Sequence, residues 1–284
     1  MALKHLVIHP KGGLCNRLRA IASSKRLCQK ARATCTVIWE WGDPRALFDE
    51  PDLDWRPALT DEIRDTYHTI THRLFRDGGA IENRRVPLTT HERILVHSLF
   101  VFGAEEEPAL LRAELALVPW IPKVSPEIRE RVATFAQERF GGTVVGLHLR
   151  RTDHTVAIDA SPDELYFREA DPLVHQGCRL FIASDNMETV NVMRARYGSA
   201  VIHYEKDPLL PTRWPRKEFS LEDTRDDLID LHLLAACDFV IGSRFSSFSA
   251  IAIALNGSPR CKALGDLVKA QAIAQPILRG QPRA

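Results

Sequence analysis

The chain has 284 residues, 45% of them hydrophobic and 26% charged, which is an ordinary composition for a soluble protein of about two domains. Lys and Arg number 38 against 37 Asp and Glu, so the formal net charge is +1. This balance argues against a general binder of nucleic acid or of membrane surfaces, and any anion site must therefore be local.

The sequence gives no sign of export or membrane insertion. The first ten residues are too short and too interrupted for a signal peptide, and no apolar stretch approaches the roughly 20 residues that span a bilayer. The six cysteines form no C-x-x-C pair, which argues against a zinc site or a dithiol motif. We therefore expect a cytoplasmic protein without a membrane span, a metal or a nucleic-acid partner; the oligomeric state stays open.

The first half begins with an α/β layer. It consists of a strand over residues 3–9, a glycine turn, a helix over 16–30 and a strand over 34–39. Residues 41–90 are less regular and include Pro44, Pro51 and Pro57 among many charges. A strand pattern resumes over 93–102, a helix is predicted over 108–117, and residues 120–126 are typical of a connection between domains.

The second half alternates helices and strands more clearly. Helices are predicted over 126–140, 163–174, 187–197, 221–237 and 246–255, strands over 144–149, 179–183, 200–204 and 238–242, and a loop over 208–215. This alternation predicts a parallel sheet with right-handed crossovers. The predicted fold class is α/β, with two Rossmann-like domains, residues 1–123 and 124–284, that face a cleft.

Polar residues follow three strands of the second half. They are His148 with the adjacent Arg150, Arg151 and Asp153, then Ser184–Asp185, then the segment 243–249. Because ligands of open parallel sheets bind beyond the carboxyl ends of the strands, these groups should converge on one site.

Two adjacent arginines at the end of a buried strand favour a phosphate or pyrophosphate site over the alternative of a surface ion pair. If the strand alternation continues, His148 and Arg150 point to one face and Arg151 to the other, so one arginine can meet a ligand while the other holds the loop, for example through Asp153. His148 is as consistent with a hydrogen-bonded core residue as with an acid–base group.

Ser246 and Ser247 open a helix, where hydroxyl and N–H groups either bind an anion or simply cap the helix. Asp185 either caps the next helix or accepts a ribose hydroxyl or base N–H. Asp226 and Asp227 fit an acidic first turn. Asp230 lies deeper among leucines, and a buried carboxylate there needs a partner.

The first loop, with Gly12, Gly13 and Asn16, could bring backbone N–H groups to a phosphate or merely reverse the chain. It matches neither the dinucleotide fingerprint nor a Walker loop. Asp52 and Asp54 have the D-x-D spacing of metal-dependent glycosyltransferases, but no predicted strand precedes them, so we interpret them as solvated charge.

These motifs, in this order, resemble the GDP-fucose-dependent fucosyltransferase superfamily, above all the α1,6-fucosyltransferases and the rhizobial nodulation fucosyltransferase; protein O-fucosyltransferases and α1,2-fucosyltransferases are more distant. The resemblance rests on four stretches: residues 12–19, 147–153, 181–185 and 230–249. It is firm over residues 142–257 and thin over residues 41–120.

The resemblance implies a GT-B-like architecture and inverting, metal-independent transfer of L-fucose from GDP-β-L-fucose to a glycan acceptor. It implies that Arg150 binds the β-phosphate, and that His148 and Asp153 shape the same motif. Further residues are implied in donor binding: Gly13, Asn16, Arg151, Asp185, Asp230, Ser246 and Ser247. No cofactor other than the donor substrate is implied.

One departure concerns the general base. The α1,6 enzymes carry a glutamate just after the arginine motif, but residues 155–158 here read Thr-Val-Ala-Ile, so Asp159 and Glu164 are the nearest carboxylates and the base candidates. The alternatives are a transferase for another nucleotide-activated sugar, a protein O-fucosyltransferase, and a non-catalytic nucleotide-sugar-binding protein. An oxidoreductase is disfavoured because the first loop lacks the dinucleotide fingerprint.

Overall fold

The computed structural model describes residues 1–72, 85–104, 113–206 and 220–265. The chain divides into two compact units, the first comprising Met1–Ser125 and the second beginning at Pro126. The predicted loop over 208–215 lies outside the described residues, as does the first part of the helix predicted over 108–117.

The described residues form twelve strands and nine α-helices. The strands are β1 His5–Pro10, β2 Thr34–Ile38, β3 Asp54–Arg56, β4 His68–Thr71, β5 Arg85–Val86, β6 Arg93–Ser98, β7 Gly103–Ala104, β8 Val144–Leu149, β9 Arg179–Ser184, β10 Val201–Ile202, β11 Phe239–Ser243 and β12 Lys262–Leu264. The helices are α1 Leu14–Ala31, α2 Asp61–Thr66, α3 Ala113–Leu117, α4 Pro126–Arg139, α5 Thr155–Ala160, α6 Asp163–His175, α7 Met187–Tyr197, α8 Leu221–Ala236 and α9 Ser247–Asn256.

Each unit is built on a five-stranded parallel sheet. The first sheet has the order β3-β2-β1-β6-β4 and the second the order β10-β9-β8-β11-β12. The central strands are apolar on both faces because helices cover both faces of such a sheet; β8 is buried along its whole length. In each sheet the direction of strand addition reverses beside the first strand of the unit, which creates a switch point between β1 and β6 and another between β8 and β11.

The central elements agree with the sequence-based prediction to within a few residues, but the sheet edges differ from it. Residues 41–90, predicted as irregular, contain β3 and β4 of the first sheet with helix α2 between them, and β12 was not predicted. These edge strands have three or four residues and only partial burial, so no apolar alternation marks them.

Two further details differ from the prediction. The strand predicted over 93–102 ends at Ser98, whose Oγ accepts a hydrogen bond from the Phe100 N–H group, 3.1 Å away. Asp54 lies in β3 rather than in a loop, and its carboxylate accepts hydrogen bonds from Thr36 and Arg56, each at 2.9 Å. No helix within the four described ranges combines the length and the apolar character needed to cross a bilayer.

Candidate functional site: the carboxyl edge of the second sheet

Three adjacent strands of the second sheet end at the same edge. Leu149 of β8 pairs with Ser184 of β9, and His148 pairs with Gly242 of β11. The hydroxyl of Ser184 donates to the Leu149 carbonyl at 2.8 Å, which ties two of these strand ends together. The polar groups that follow the three strands therefore meet at the switch point of this sheet, where α/β folds bind ligands.

Arg150 is the more accessible arginine of the pair. Its side chain is 23% exposed and forms ion pairs with Asp153 and, at 2.8 Å, with Asp185. Asp153 lies on the same turn and is itself one-third exposed. A guanidinium with a partly exposed carboxylate partner can exchange that partner for an oxyanion ligand. Solvent screens such an ion pair, so breaking it costs little free energy.

Arg151 holds the loop, but not through Asp153 as predicted. Its side chain is only 9% exposed and contacts Asp163 of α6 through Nε, at 2.7 Å, and Nη2, at 2.5 Å. It also donates to the carbonyls of Arg150 and Ser161, both at 2.8 Å. Sequence reasoning could not choose between Asp153 and Asp163, since both lie within reach of a flexible side chain.

Asp185 binds the arginine loop with both carboxylate oxygens. Oδ1 accepts the Arg151 backbone N–H at 2.7 Å, while Oδ2 accepts the Thr152 hydroxyl at 2.5 Å and pairs with Arg150. Asn186, not Asp185, caps α7; the bonds of Asp185 instead hold the loop that carries the two arginines. Asp185 fixes the position and orientation of Arg150.

His148 is buried, with 4% of its surface exposed. Its Nδ1 lies 2.7 Å from the Ser249 hydroxyl and its ring stacks on Phe248, with 4.7 Å between centroids. Burial, with the nearby cations Arg150 and Lys206, lowers the pKa of His148 to about 3, although Asp185 acts in the opposite direction. A neutral imidazole in this setting joins β8 to α9 and does not exchange protons near pH 7.

Ser243 and Tyr166 connect the strand ends; Ser243 belongs to the polar segment 243–249 that was expected at this site, whereas Tyr166 was not predicted. The Ser243 hydroxyl accepts the Arg150 backbone N–H at 2.9 Å and lies 2.8 Å from the Tyr166 hydroxyl, which donates to the His148 carbonyl at 2.9 Å. Burial raises the pKa of Tyr166 and keeps its hydroxyl protonated. The position of Ser243 at a strand end was visible in the sequence; that of Tyr166, on α6, was not.

The start of α9 faces the same edge. Ser246 caps the helix by accepting the Ser249 N–H group, and Ser247 is the first helical residue. The first N–H groups of a helix have no intrahelical acceptor and form an anion-binding position. Just before the cap, Phe245 has a left-handed backbone, φ 62°, and is half-exposed, an unfavourable conformation that clusters at functional loops.

Asp230, on α8, has the partner that its burial requires. Its Oδ2 lies 2.9 Å from Nζ of Lys206, which also contacts Asp227 at 2.9 Å. Burial opposes the Lys206 charge, but the two carboxylates outweigh it and raise the pKa of Lys206. Oδ1 of Asp230 is buried and has no hydrogen-bond partner among the described residues, so this atom can still accept a donor.

The remaining predicted residues lie elsewhere. Asp159 on α5 and Glu164 at the start of α6 are both exposed. Gly13 and Asn16 belong to the first unit, where Gly13 caps α1. Within the described residues, no cluster of three or more His, Cys, Asp or Glu side chains is arranged to hold a metal ion.

Two α/β units, each with a parallel Rossmann-like sheet, define the GT-B class of glycosyltransferase folds. Among solved structures, the chain is similar to NodZ α1,6-fucosyltransferase soaked with GDP-fucose, at 18% identity over 94% of this chain and 96% of that one, with a TM-score of 0.57. The selenomethionine form of fucosyltransferase NodZ from Bradyrhizobium is 19% identical over 94% of this chain and 96% of that one, with a TM-score of 0.55. POFUT1 in complex with GDP-fucose is 12% identical over 93% of this chain and 99% of that one, with a TM-score of 0.57.

At these identities the similarity establishes the fold, and it confirms the predicted fold class. No protein-family model matches the sequence, and no curated protein is similar to it at a significant level.

Proposed function

We propose that this protein is a GDP-fucose-dependent fucosyltransferase that transfers L-fucose to a glycan acceptor with inversion and without a metal. One observation supports this most strongly: Arg150 lies at the switch point of the second sheet, where Asp185 pairs with its side chain and Ser243 of β11 accepts its backbone N–H. The solved structures with the same fold include NodZ α1,6-fucosyltransferase co-crystallised with GDP and POFUT1 in complex with GDP-fucose.

In the proposed reaction, an acceptor hydroxyl attacks the anomeric carbon of the fucosyl group as the bond to the β-phosphate oxygen breaks. The electron pair of that bond passes to the departing GDP, and the hydroxyl proton passes to a base. Arg150 releases Asp153 and stabilises the charge that develops on the β-phosphate, while the first N–H groups of α9 provide further donors. Fixed cations of this kind take the part that a metal plays in other transferases.

The remaining residues of the edge keep the site in place or bind the nucleoside. Arg151 and Asp163 fix the loop, and neutral His148 joins β8 to α9. Oδ1 of Asp230, held beside Lys206, is the acceptor that we assign to an N–H group of the nucleobase. Asp159 and Glu164 remain the candidates for the base, since both are exposed and follow the arginine loop.

Arg150→Ala is expected to weaken GDP binding and to lower fucosyl transfer by a factor of about 100 or more, because it removes the cation that faces the leaving group. Calorimetric titration with GDP, UDP and CMP, followed by assay of fucose release from GDP-fucose, measures both effects. Arg196→Ala is the matched control, since it removes another arginine of the second unit that pairs with an aspartate, Asp171, at 2.7 Å.

Full transfer activity in Arg150→Ala would overturn the assignment of this residue. Preference for UDP or CMP over GDP would instead indicate another nucleotide-activated sugar. Tight GDP binding without release or transfer of fucose would favour a non-catalytic nucleotide-sugar-binding protein, an alternative supported by the absence of a carboxylate from residues 155–158.

A further inference from the structure

The first unit has a polar cluster at the switch point of its own sheet, separate from the residues described above. His9 of β1 is paired in register with His97 of β6, and their rings lie 5.1 Å apart. Lys11 follows β1, Arg17 lies in the first turns of α1, and Glu40 follows β2. We refer to His9, Lys11, Arg17, Glu40 and His97 as the β1-edge cluster.

Arg17 is an incompletely paired buried cation. It is 6% exposed, yet among the described residues it pairs with only one carboxylate, that of Glu40, whose Oε2 is 3.9 Å from Nη2, too far for a hydrogen bond. Its Nε donates to the Gly12 carbonyl at 3.0 Å. Nη1 is buried and has no hydrogen-bond acceptor within the described ranges.

The surroundings of Arg17 hold the guanidinium in place without neutralising it. Its central carbon lies 3.8 Å from the centroid of the Trp41 ring, a cation–π contact. Burial lowers the pKa of Arg17 to about 10, although Glu40 acts in the opposite direction. A buried guanidinium with a free donor is costly unless an acceptor occupies that position, so this arrangement indicates a ligand.

The charges of the β1-edge cluster favour an anion. Lys11 and Arg17 are two cations against one carboxylate, Glu40. Burial lowers the pKa of His9, and burial together with His9 and Lys11 lowers the pKa of His97 to about 4, so both imidazoles are neutral near pH 7. The cluster therefore has one positive charge in excess.

The cluster also has room and further donors for a ligand. Lys11 is partly exposed, and its Nζ lies 2.6 Å from Nε2 of His9, whose Nδ1 is buried without a partner among the described residues. Open space surrounds Gly13, the residue that caps α1, since a Cβ built there would meet no atom within 4 Å. The first N–H groups of α1 thus point to the same edge as the cations.

We propose that the β1-edge cluster is an oxyanion-binding site with Arg17 as its principal cation, and that its ligand is the carboxylate or phosphate group of an acidic acceptor sugar. The site itself follows from the incompletely paired Arg17, whose Nη1 has no acceptor among the described residues; the identification of its ligand as the acceptor rests on the proposed transferase function. The protein would then act on acidic saccharides in preference to neutral ones.

The test is calorimetric titration of the full chain with D-glucuronate and with D-glucose, its uncharged counterpart. Glucuronate is expected to bind at least about tenfold more tightly than glucose, since a charge-assisted contact is worth about this factor. Arg17→Gln should remove that preference and leave glucose binding unchanged, whereas Arg150→Ala should leave glucuronate binding intact.

Equal binding of the two sugars, or wild-type glucuronate binding by Arg17→Gln, would overturn the proposal. If Arg17→Gln does not fold, Lys11→Gln at a partly exposed position provides the same test, with an expected loss of about threefold. The source of the oxyanion is decided by adding GDP: unchanged glucuronate affinity supports the acceptor, whereas displacement by GDP would assign the site to the nucleotide phosphate and overturn the acceptor assignment.

The same titrations distinguish failure of the proposed transferase function from failure of the oxyanion-site proposal. A protein that binds glucuronate through Arg17 but does not bind GDP would retain the oxyanion site and lose the transferase assignment. Conversely, GDP binding that depends on Arg150, with no glucuronate binding, would leave the proposed function in place and refute the acidic acceptor.

Discussion

At the scale of single residues, two adjacent arginines of the same motif occupy different environments. Arg150 remains accessible between two carboxylates, whereas Arg151 is buried against Asp163 and backbone carbonyls. The alternation of a strand predicted that the two arginines point to different faces, but not which of them meets a ligand; the assignment of Arg150 to the ligand stays a prediction. It could not identify the partners, because Asp153, Asp163 and Asp185 lie on three different elements.

Acid should destabilise the protein partly through His148. Its pKa is lowered to about 3 in the folded state from 6.5 in the unfolded state, so the unfolded chain binds the extra proton between these values. The contribution of neutral His148 is complete above pH 6.5 and is lost as the pH falls below it. Between about pH 6 and pH 4.5, the free energy of unfolding should fall about 1.4 kcal/mol per pH unit more steeply in the wild type than in His148→Gln.

Urea unfolding at several pH values measures these slopes, and their difference isolates His148 from the other buried histidines, such as His232, whose pKa burial lowers to about 4. Parallel slopes for the two proteins would show that His148 is not neutral and buried in the folded state.

At the scale of elements, the site depends on how closely α9 packs on β11. His148 and Ser249 form a hydrogen bond between sheet and helix, and Gly242 is the point of closest approach. A Cβ at Gly242 would lie 2.5 Å from Cβ and 3.3 Å from Cα of Ser249. The absence of a side chain at Gly242 therefore sets the position of the α9 N-terminus relative to the strand ends.

Gly242→Ala should destabilise the fold by about 2 kcal/mol and weaken GDP binding, because α9 must move away from β11. Gly141→Ala is the control, since Gly141 is exposed, no atom lies within 4 Å of a Cβ built there, and its change should stay within about 0.5 kcal/mol. Thermal unfolding with and without GDP measures both effects. An unchanged melting temperature in Gly242→Ala would contradict the close packing of α9.

At the scale of the whole molecule, the chain repeats one design in two units. Each unit has a five-stranded parallel sheet whose switch point carries arginine, other charged side chains and a helix N-terminus. The formal net charge of +1 is consistent with this picture, since the cations of both edges are local and are partly balanced by carboxylates. Ligand binding should therefore be confined to a few loops.

Saturating GDP should slow amide hydrogen exchange at residues 150–154 and 246–250 of the second unit, because these segments contribute the proposed phosphate contacts. Exchange mass spectrometry of the full chain, with UDP as the comparison nucleotide, detects this change. Slower exchange at residues 12–16 as well would support the prediction that Gly13 and Asn16 bind the donor, and it would count against assigning the β1-edge cluster to the acceptor. Unchanged exchange at 150–154 would contradict the proposed role of Arg150.

The sequence alone determined the α/β class, the central strands and helices, and the polar groups at the carboxyl ends of β8, β9 and β11. These features follow from local periodicity and from the rule that parallel strands end at one edge. Tertiary structure alone decided the edge strands β3, β4 and β12, the contact of Arg151 with Asp163, the hydroxyl link between Tyr166 and Ser243, and the incomplete pairing of Arg17. The physical reason is that burial, partner choice and pKa depend on residues distant in the chain, and a linear pattern does not specify which of them come into contact.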